Sequence, residues 1–325
     1  MYMSKSYVHL GYKAFNKDLT CKNYQYTIGK THKYKGEINI CTSGFHFCEH
    51  LDEVLKYYNF FKFPEYRVFK VKAAGTIIHD TDKSVTDNIT LLEEIKDLHT
   101  QECRMNVVKR NGNSLKYVNL QTPELCMAAV KQNGNALKYV KSQTPEICMA
   151  AVKEDGRALS YVKSQTPQIC MAAVKEDGRA LEFVEHQTPE LCMAAVKQDG
   201  TSLEFVKHQT PELCMAAVKQ YGCALEFVEH QTPKLCMAAV KQDGRSLEFV
   251  EHQTPKLCMA AVTQNGWSLS YVKHQTPKLC MAAVMQNNDA IRYVKKLTPE
   301  LRMAAVANLY NIPTTFQNNN RYYWY

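Results

Sequence analysis

TPELCMAAVKQNGNALKYVKSQ, residues 122–143, returns with small changes every 22 residues, from Thr144, Thr166, Thr188, Thr210, Thr232, Thr254 and Thr276, with weaker copies from Thr100 and Thr298. About ten copies of one unit make up roughly two thirds of the chain. A fixed period of this size marks a repeat array, in which each unit is one supersecondary element that buries its apolar face only against its neighbours.

The unit reads as a small helical hairpin. Thr122 is a good N-cap, Pro123 suits the first helical position, and Glu124 favours the positive end of the helix dipole. A helix is expected through about Lys131, stopped at Asn133-Gly134 by a glycine in the left-handed C-cap conformation. A second, shorter helix is expected from Ala136 to about Lys141, and Ser142-Gln143 return the chain to the next threonine. At about 100° per residue Leu125, Cys126, Ala129 and Val130 share one arc, with Met127 at its edge. Leu137, Tyr139 and Val140 are expected to face inward, and Lys138 and Lys141 outward. One unit has too few apolar side chains to offset the ordering of its backbone, so the fold implied for residues 100–310 is a continuous all-α solenoid of about ten helical hairpins.

Thirteen cysteines in 325 residues first suggest a disulfide scaffold, but eight of them form one column: Cys126, Cys148, Cys170, Cys192, Cys214, Cys236, Cys258 and Cys280. Packed helices lie about 8–10 Å apart, whereas a disulfide needs Cα atoms about 4.4–6.8 Å apart. The column therefore reads as small buried hydrophobes with free thiols, in a reducing compartment. At the two ends it becomes Arg104 and Arg302, as expected where an outer face meets water. No run approaches a membrane-spanning helix and the N-terminus has no apolar segment of signal-peptide length, so neither a membrane-spanning helix nor a signal peptide is expected.

Residues 1–99 lack the period and read as a small α+β cap domain. Strands are expected near Tyr12–Phe15, over Tyr66–Val71, Gly75–His79 and Val85–Leu91, a helix over Leu51–Tyr58, and turns at Lys35-Gly36 and Ser43-Gly44. Leu91–Leu98, LLEEIKDL, reads as a helix linking this domain to the first repeat. Pro313 ends the helical pattern, leaving a polar and aromatic tail, residues 311–325.

These repeats resemble the short helical repeats of unknown function found in proteins of mimivirus-like giant DNA viruses, and are distantly similar to leucine-rich-variant α-solenoids. The segment KAFNKDLTCKNYQYTIGKTHKYKGEINICTSGFHFCEH, residues 13–50, resembles an uncharacterised domain of phage and giant-virus proteins. The resemblance implies host cytoplasm or virion as the setting, and carries no activity and no cofactor.

Three roles compete for residues 1–99. The order of Tyr12–Phe15, Ser43-Gly44-Phe45-His46-Phe47, the helix and the later strands resembles a degenerate ADP-ribosyltransferase, with the solenoid as its targeting arm; Thr86-Asp87-Asn88 stands where such enzymes carry a catalytic glutamate. His46, Cys48 and His50 alternate and would share one face of a strand, with Cys41 nearby and Cys21 as a further donor, a weak metal-site pattern. The preferred role is a globular cap on the open end of the solenoid.

Comparing copies exposes the outward columns. Lys131, Lys153, Lys175, Lys197, Lys219 and Lys241 form a basic ridge, ending at Thr263 and Met285. Glu182, Glu204, Glu226 and Glu248 form an acidic column, and the ridge lacks interleaved aromatics, so nucleic-acid binding is the least favoured reading despite a net charge of +8. The residue after the turn glycine varies most, which is how repeat scaffolds build a binding face. Arg157, Arg179, Arg245 and Trp267 are its candidate contacts, since Arg and Trp are favoured hot spots. The expectation is a non-enzymatic scaffold that binds a protein partner.

Overall fold

The computed structural model describes residues 3–5, 8–40 and 42–309, with side chains over 8–40 and 42–307. Cys41 and the tail 311–325, both singled out above, lie outside the described residues. The chain divides into two units, Met1–Ser164 and Gln165–Tyr325.

The first unit opens with β1 (Met3–Lys5), β2 (His9–Phe15), β3 (Thr20–Cys21), β4 (Tyr24–Gln25), β5 (Thr31–Lys33), β6 (Phe45–Phe47), α1 (Leu51–Val54), β7 (Arg67–His79) and β8 (Ser84–Glu94). β7 and β8 form a long antiparallel hairpin; β1 and β2 pair with β7, and β5 and β6 pair with β8. In β7, buried Phe69, Val71 and Ala73 alternate with exposed Lys70 and Lys72, the period-2 pattern of a half-buried strand. Phe15, Tyr26, Phe45, Phe47, Phe69, Val71, Ile77, Ile89 and Leu91 form the core.

Three expectations are corrected here. The two short strands are one, which continues through a bulge at Ala74–Ile77 because Gly75 takes φ 76° and the Asp87 carboxylate accepts the Thr76 N–H at 3.0 Å. Leu91–Glu94 is no linking helix but the end of β8: Leu91 is buried, and Glu94 lies opposite Phe69 and grips Arg67 at 2.6 Å. The helix expected over Leu51–Tyr58 stops after Val54, whose carbonyl accepts from both Tyr57 and Tyr58, closing a turn instead of propagating.

The array begins in the same unit with α2 (Gln101–Arg110), α3 (Pro123–Gln132) and α4 (Pro145–Glu154). The Arg110 guanidinium donates to Asp52, a buried carboxylate at the start of α1, at 2.8 Å, and the Arg104 guanidinium lies 5.9 Å from the Phe61 ring. The polar substitution at the first repeat thus meets the sheet domain, not water, whereas Arg302 at the last repeat is exposed.

The second unit continues with α5 (Pro167–Glu176), α6 (Pro189–Gln198), α7 (Pro211–Gln220), α8 (Pro233–Gln242), α9 (Pro255–Gln264), α10 (Pro277–Gln286) and α11 (Pro299–Leu309). From α3 to α10 every helix starts on a threonine whose hydroxyl accepts the N–H of its third residue, with proline at the first position. Leu or Ile, Cys, Ala and Val of each helix are buried, as the periodicity requires.

The hairpin's second half differs from the expectation. It is a 3₁₀ helix, Gly134–Tyr139 in the quoted unit, entered from Asn133 in extended geometry at φ −155° and ψ 110°. The glycine is not left-handed; it is needed because a Cβ on Gly134 would lie 2.6 Å from the Ala151 carbonyl of the next repeat. Asn133 caps the 3₁₀ helix by accepting the Asn135 N–H at 3.0 Å. Leu137 and Val140 are buried, while Tyr139 is only half-buried.

What joins repeats is a bracket that periodicity does not reveal. The glutamine before each capping threonine, such as Gln121, donates through Nε2 to a carbonyl of the next repeat, at 2.7–2.9 Å over all eight copies from Gln121 to Gln275. Its Oε1 accepts a backbone N–H of that repeat at 2.9–3.2 Å. The column cysteine of that next repeat donates its thiol to the same Oε1 at 3.3–3.7 Å. All described cysteines are free, and burial pushes the eight column thiols above their ordinary pKa. Among the described residues no helix is long and apolar enough to cross a membrane.

Candidate functional site

The residue after each turn glycine is the second of its 3₁₀ helix, held outward while its neighbours at the glycine and the leucine are buried. Arg157, Arg179, Arg245 and Trp267 all sit exposed at this position. The structure brings Arg245 and Trp267 together in one groove of about 730 Å³ in the second unit, with Tyr221, Tyr271 and Tyr293. The Trp267 and Tyr293 rings are 5.7 Å apart. Arg245 is tied to Asp243 at 2.9 Å, which leaves its guanidinium oriented and its charge matched. Arg179 is not part of this groove and lies over the Phe205 ring at 5.7 Å; Arg157 belongs to the first unit. The three tyrosines escape the sequence reading. Tyr221 carries a signal, because it stands where the other copies have Asn or Asp.

Lys131, Lys153, Lys175, Lys197, Lys219 and Lys241 are exposed throughout. Lys197 and Lys219 line a second groove of about 720 Å³ with Met193, Met215, His230 and Lys234, but Glu212 and Glu229 share its wall. Carboxylates interleaved with the ammonium groups oppose a polyanion.

In the sheet domain, His46, Cys48 and His50 do not converge. His46 Nε2 lies 2.6 Å from the Ile40 carbonyl, and burial holds its imidazole below the ordinary pKa. Cys48 exchanges both backbone hydrogen bonds with Tyr12, and burial pushes its thiol up. The His50 backbone N–H donates to Glu53 at the start of α1. Cys21 lies 3.3 Å from the Tyr58 hydroxyl. The donor set that does converge is His9, Glu49 and His79, whose ligand atoms lie within 4.8 Å of one another. His79 Nδ1 is 3.0 Å from Glu49 and 2.9 Å from Ser84 Oγ, and the His9 and His79 rings lie 5.0 Å apart, so these direct contacts already hold the cluster; two imidazoles and a carboxylate would also suit a divalent transition metal.

The sheet domain also holds a cavity of about 300 Å³, between β2, β6 and the turn after α1, lined by Lys13, His46, Phe45 and six tyrosines. Asp87 does not line it, being engaged by Thr76 and Asn88 at the β7 bulge. Among the described residues no aspartate or glutamate lines this cavity.

A sheet domain packed on the first helix of a 22-residue helix-plus-3₁₀ array defines a helical repeat protein with an N-terminal α+β domain. Within that class, residues 9–101 match a domain of unknown function, DUF7666. A second domain of unknown function, DUF4116, matches five times in overlapping windows, 102–144, 122–166, 144–187, 166–209 and 188–232. Each window spans about two of the 22-residue units. Neither a curated protein nor a solved structure matches the chain.

Proposed function

We propose that the protein is an interaction scaffold and that the groove at Tyr221, Arg245, Trp267, Tyr271 and Tyr293 binds an extended segment of a protein partner. The observation that carries this is where the copies differ. Core and bracket positions repeat almost unchanged, whereas Tyr221 and Trp267, each unlike its counterpart in every other copy, meet in one groove with Arg245. Trp267 is 36% exposed and Tyr221 41%, so two large aromatic faces are held open to solvent at little entropic cost. With Arg245 neutralised by Asp243, shape and stacking select the partner more than charge does.

The geometry favours a polyproline-II segment. Aromatic-lined grooves take such helices, whose three-residue turn rises about 9.3 Å. Adjacent repeats pack about 8–10 Å apart, so each turn of the segment would present one side chain per repeat. The test is fluorescence anisotropy with a panel of proline-rich and of helical peptides. Proline-rich peptides should bind, and Trp267→Ala should weaken them about tenfold or more while leaving the melting curve unchanged. Binding indifferent to Trp267→Ala and Tyr293→Ala, or confined to the helical peptides, would refute the groove.

A further inference from the structure

The cavity in the sheet domain is independent of the groove. It is lined by Lys13, Lys22 and Lys83, by Tyr12, Tyr24, Tyr26, Tyr34, Tyr57 and Tyr58, and by no aspartate or glutamate among the described residues. Lys13 decides its chemistry. It stands on β2 between Tyr12 and the fully buried Ala14, and is only 8% exposed. Its amine donates to the His46 carbonyl at 2.7 Å and lies 5.6 Å from the centres of both the Phe15 and the Tyr26 rings. Cys21 and Cys48 are its other polar neighbours, and Lys22 adds a like charge.

An ammonium brings three N–H donors and a full charge, and a buried charge is costly unless it is paired. A carbonyl dipole and two ring faces offset part of that cost; no carboxylate completes it. Burial accordingly holds the Lys13 pKa below its ordinary value. The backbone nearby is strained as well. Leu19 and Lys22, on either side of β3, take φ 64° and 52°, a region uncommon for residues with a Cβ. Walls of tyrosine and phenylalanine accept a flat ring by stacking or edge contact. A volume of about 300 Å³ suits one or two rings rather than a long chain.

We infer that this cavity binds a small planar anion, an aromatic ring carrying a carboxylate or phosphate, with Lys13 as the counter-charge and the tyrosines as ring walls. The ligand would supply the missing partner of the buried amine. Lys22 and Lys83, both lining residues and more exposed, add long-range attraction.

Calorimetric titration of the full chain tests this with benzoate, phenyl phosphate, benzamide and inorganic phosphate. Benzoate or phenyl phosphate should bind about tenfold or more tightly than benzamide, which lacks the charge, and than phosphate, which lacks the ring. Which of the two ring anions binds better distinguishes a carboxylate ligand from a phosphate ester. Lys13→Met should remove the preference for benzoate over benzamide. Lys22→Ala, at an exposed site, should weaken both ring anions by a few-fold, and serves if the Lys13 variant fails to fold. Equal binding of benzoate and benzamide, no binding by either ring anion, or an unchanged preference in Lys13→Met would overturn the inference.

Discussion

Replacing Gln209 by alanine tests the account of how the repeats are joined. Gln209 donates to the Phe227 carbonyl at 2.7 Å and accepts the Glu229 N–H at 3.1 Å and the Cys214 thiol at 3.4 Å. Both backbone partners belong to the next repeat. An ordinary hydrogen bond contributes about 1 kcal/mol net, and a half-buried partner left unpaired costs about 1–3 kcal/mol. The Phe227 partner is half-buried and the Glu229 partner exposed, so the full cost falls on the first; with the second bond and a weak thiol contact added the loss is about 2–3 kcal/mol. For a cooperative unit of this size that is a fall in Tm of roughly 5–15 °C. The local effect is sharper: the Glu229 amide loses its acceptor, and its hydrogen exchange should quicken on the order of a hundredfold. Gln209→Glu should cost at least as much, because it sets a carboxylate oxygen against the Phe227 carbonyl. Thermal melts followed by circular dichroism, with exchange read by mass spectrometry, measure both. A Gln209→Ala protein that melts within about 1 °C of the parent and keeps its Glu229 protection would refute the bracket as a source of cohesion.

Four further outcomes follow from the same contacts. Gly244→Ala should cost about 2–4 kcal/mol in a denaturant titration, because its Cβ would lie 2.6 Å from the Ala261 carbonyl, and backbone cannot yield as a side chain can. The eight column thiols should stay silent to Ellman's reagent in the folded chain and react after guanidinium is added, since burial shields them and disfavours the thiolate. Lys13 has its folded pKa depressed, so its cost is fully present below that value and fades as pH rises toward the unfolded value. Lys13→Met should therefore stabilise most at the low end of a pH series, with the gain shrinking toward pH 10.5, in melts across that range; Cys21, Cys48, Lys22, Tyr26 and His46 are the ionisable groups around it. Tyr221→Asp should restore a 3₁₀ cap that the other copies have, raising stability by about 1 kcal/mol while weakening peptide binding in the groove.

The helices are legible because three independent local signals agree in nearly every copy: a threonine cap, proline at the first position, and the Leu-Cys-Ala-Val arc. Repetition also identifies the buried column, since one position read eight times is hard to mistake. The 3₁₀ half is misread because glycine is enriched both at left-handed caps and where backbone approaches closely, and only the position of the Ala151 carbonyl decides between them. The bracket glutamine is invisible for a similar reason. A polar residue beside a threonine cap looks like loop filler until its partners 18 and 20 residues ahead are known. The sheet domain is less legible than the array because its pairing is long-range. LLEE has helical propensity, but its fate is set by pairing with a strand some 20 residues earlier.

The same contacts explain why binding is expected at the edge and not elsewhere. Within a repeat the leucine, cysteine, alanine and valine fill the interior, the glycine passes a neighbouring carbonyl, and the glutamine holds two backbone groups. Each of these positions is fixed by a neighbour, so a change costs stability twice, once in its own repeat and once in the next. The residue after the glycine reaches the next repeat only through its side chain, as Arg179 does over Phe205 and Trp267 beside Tyr293, and it fills no interior and holds no backbone group there. At position 221 the chain nevertheless gives up a side-chain cap, found at the same position of its other described 3₁₀ helices, to place a tyrosine beside Trp267 and Tyr293. Local rules broken without a local gain are where function is to be sought. A single departure could be drift. Tyr221 and Trp267 each differ from every other copy at their positions and line one groove with Arg245, and independent drift gives no reason for that convergence.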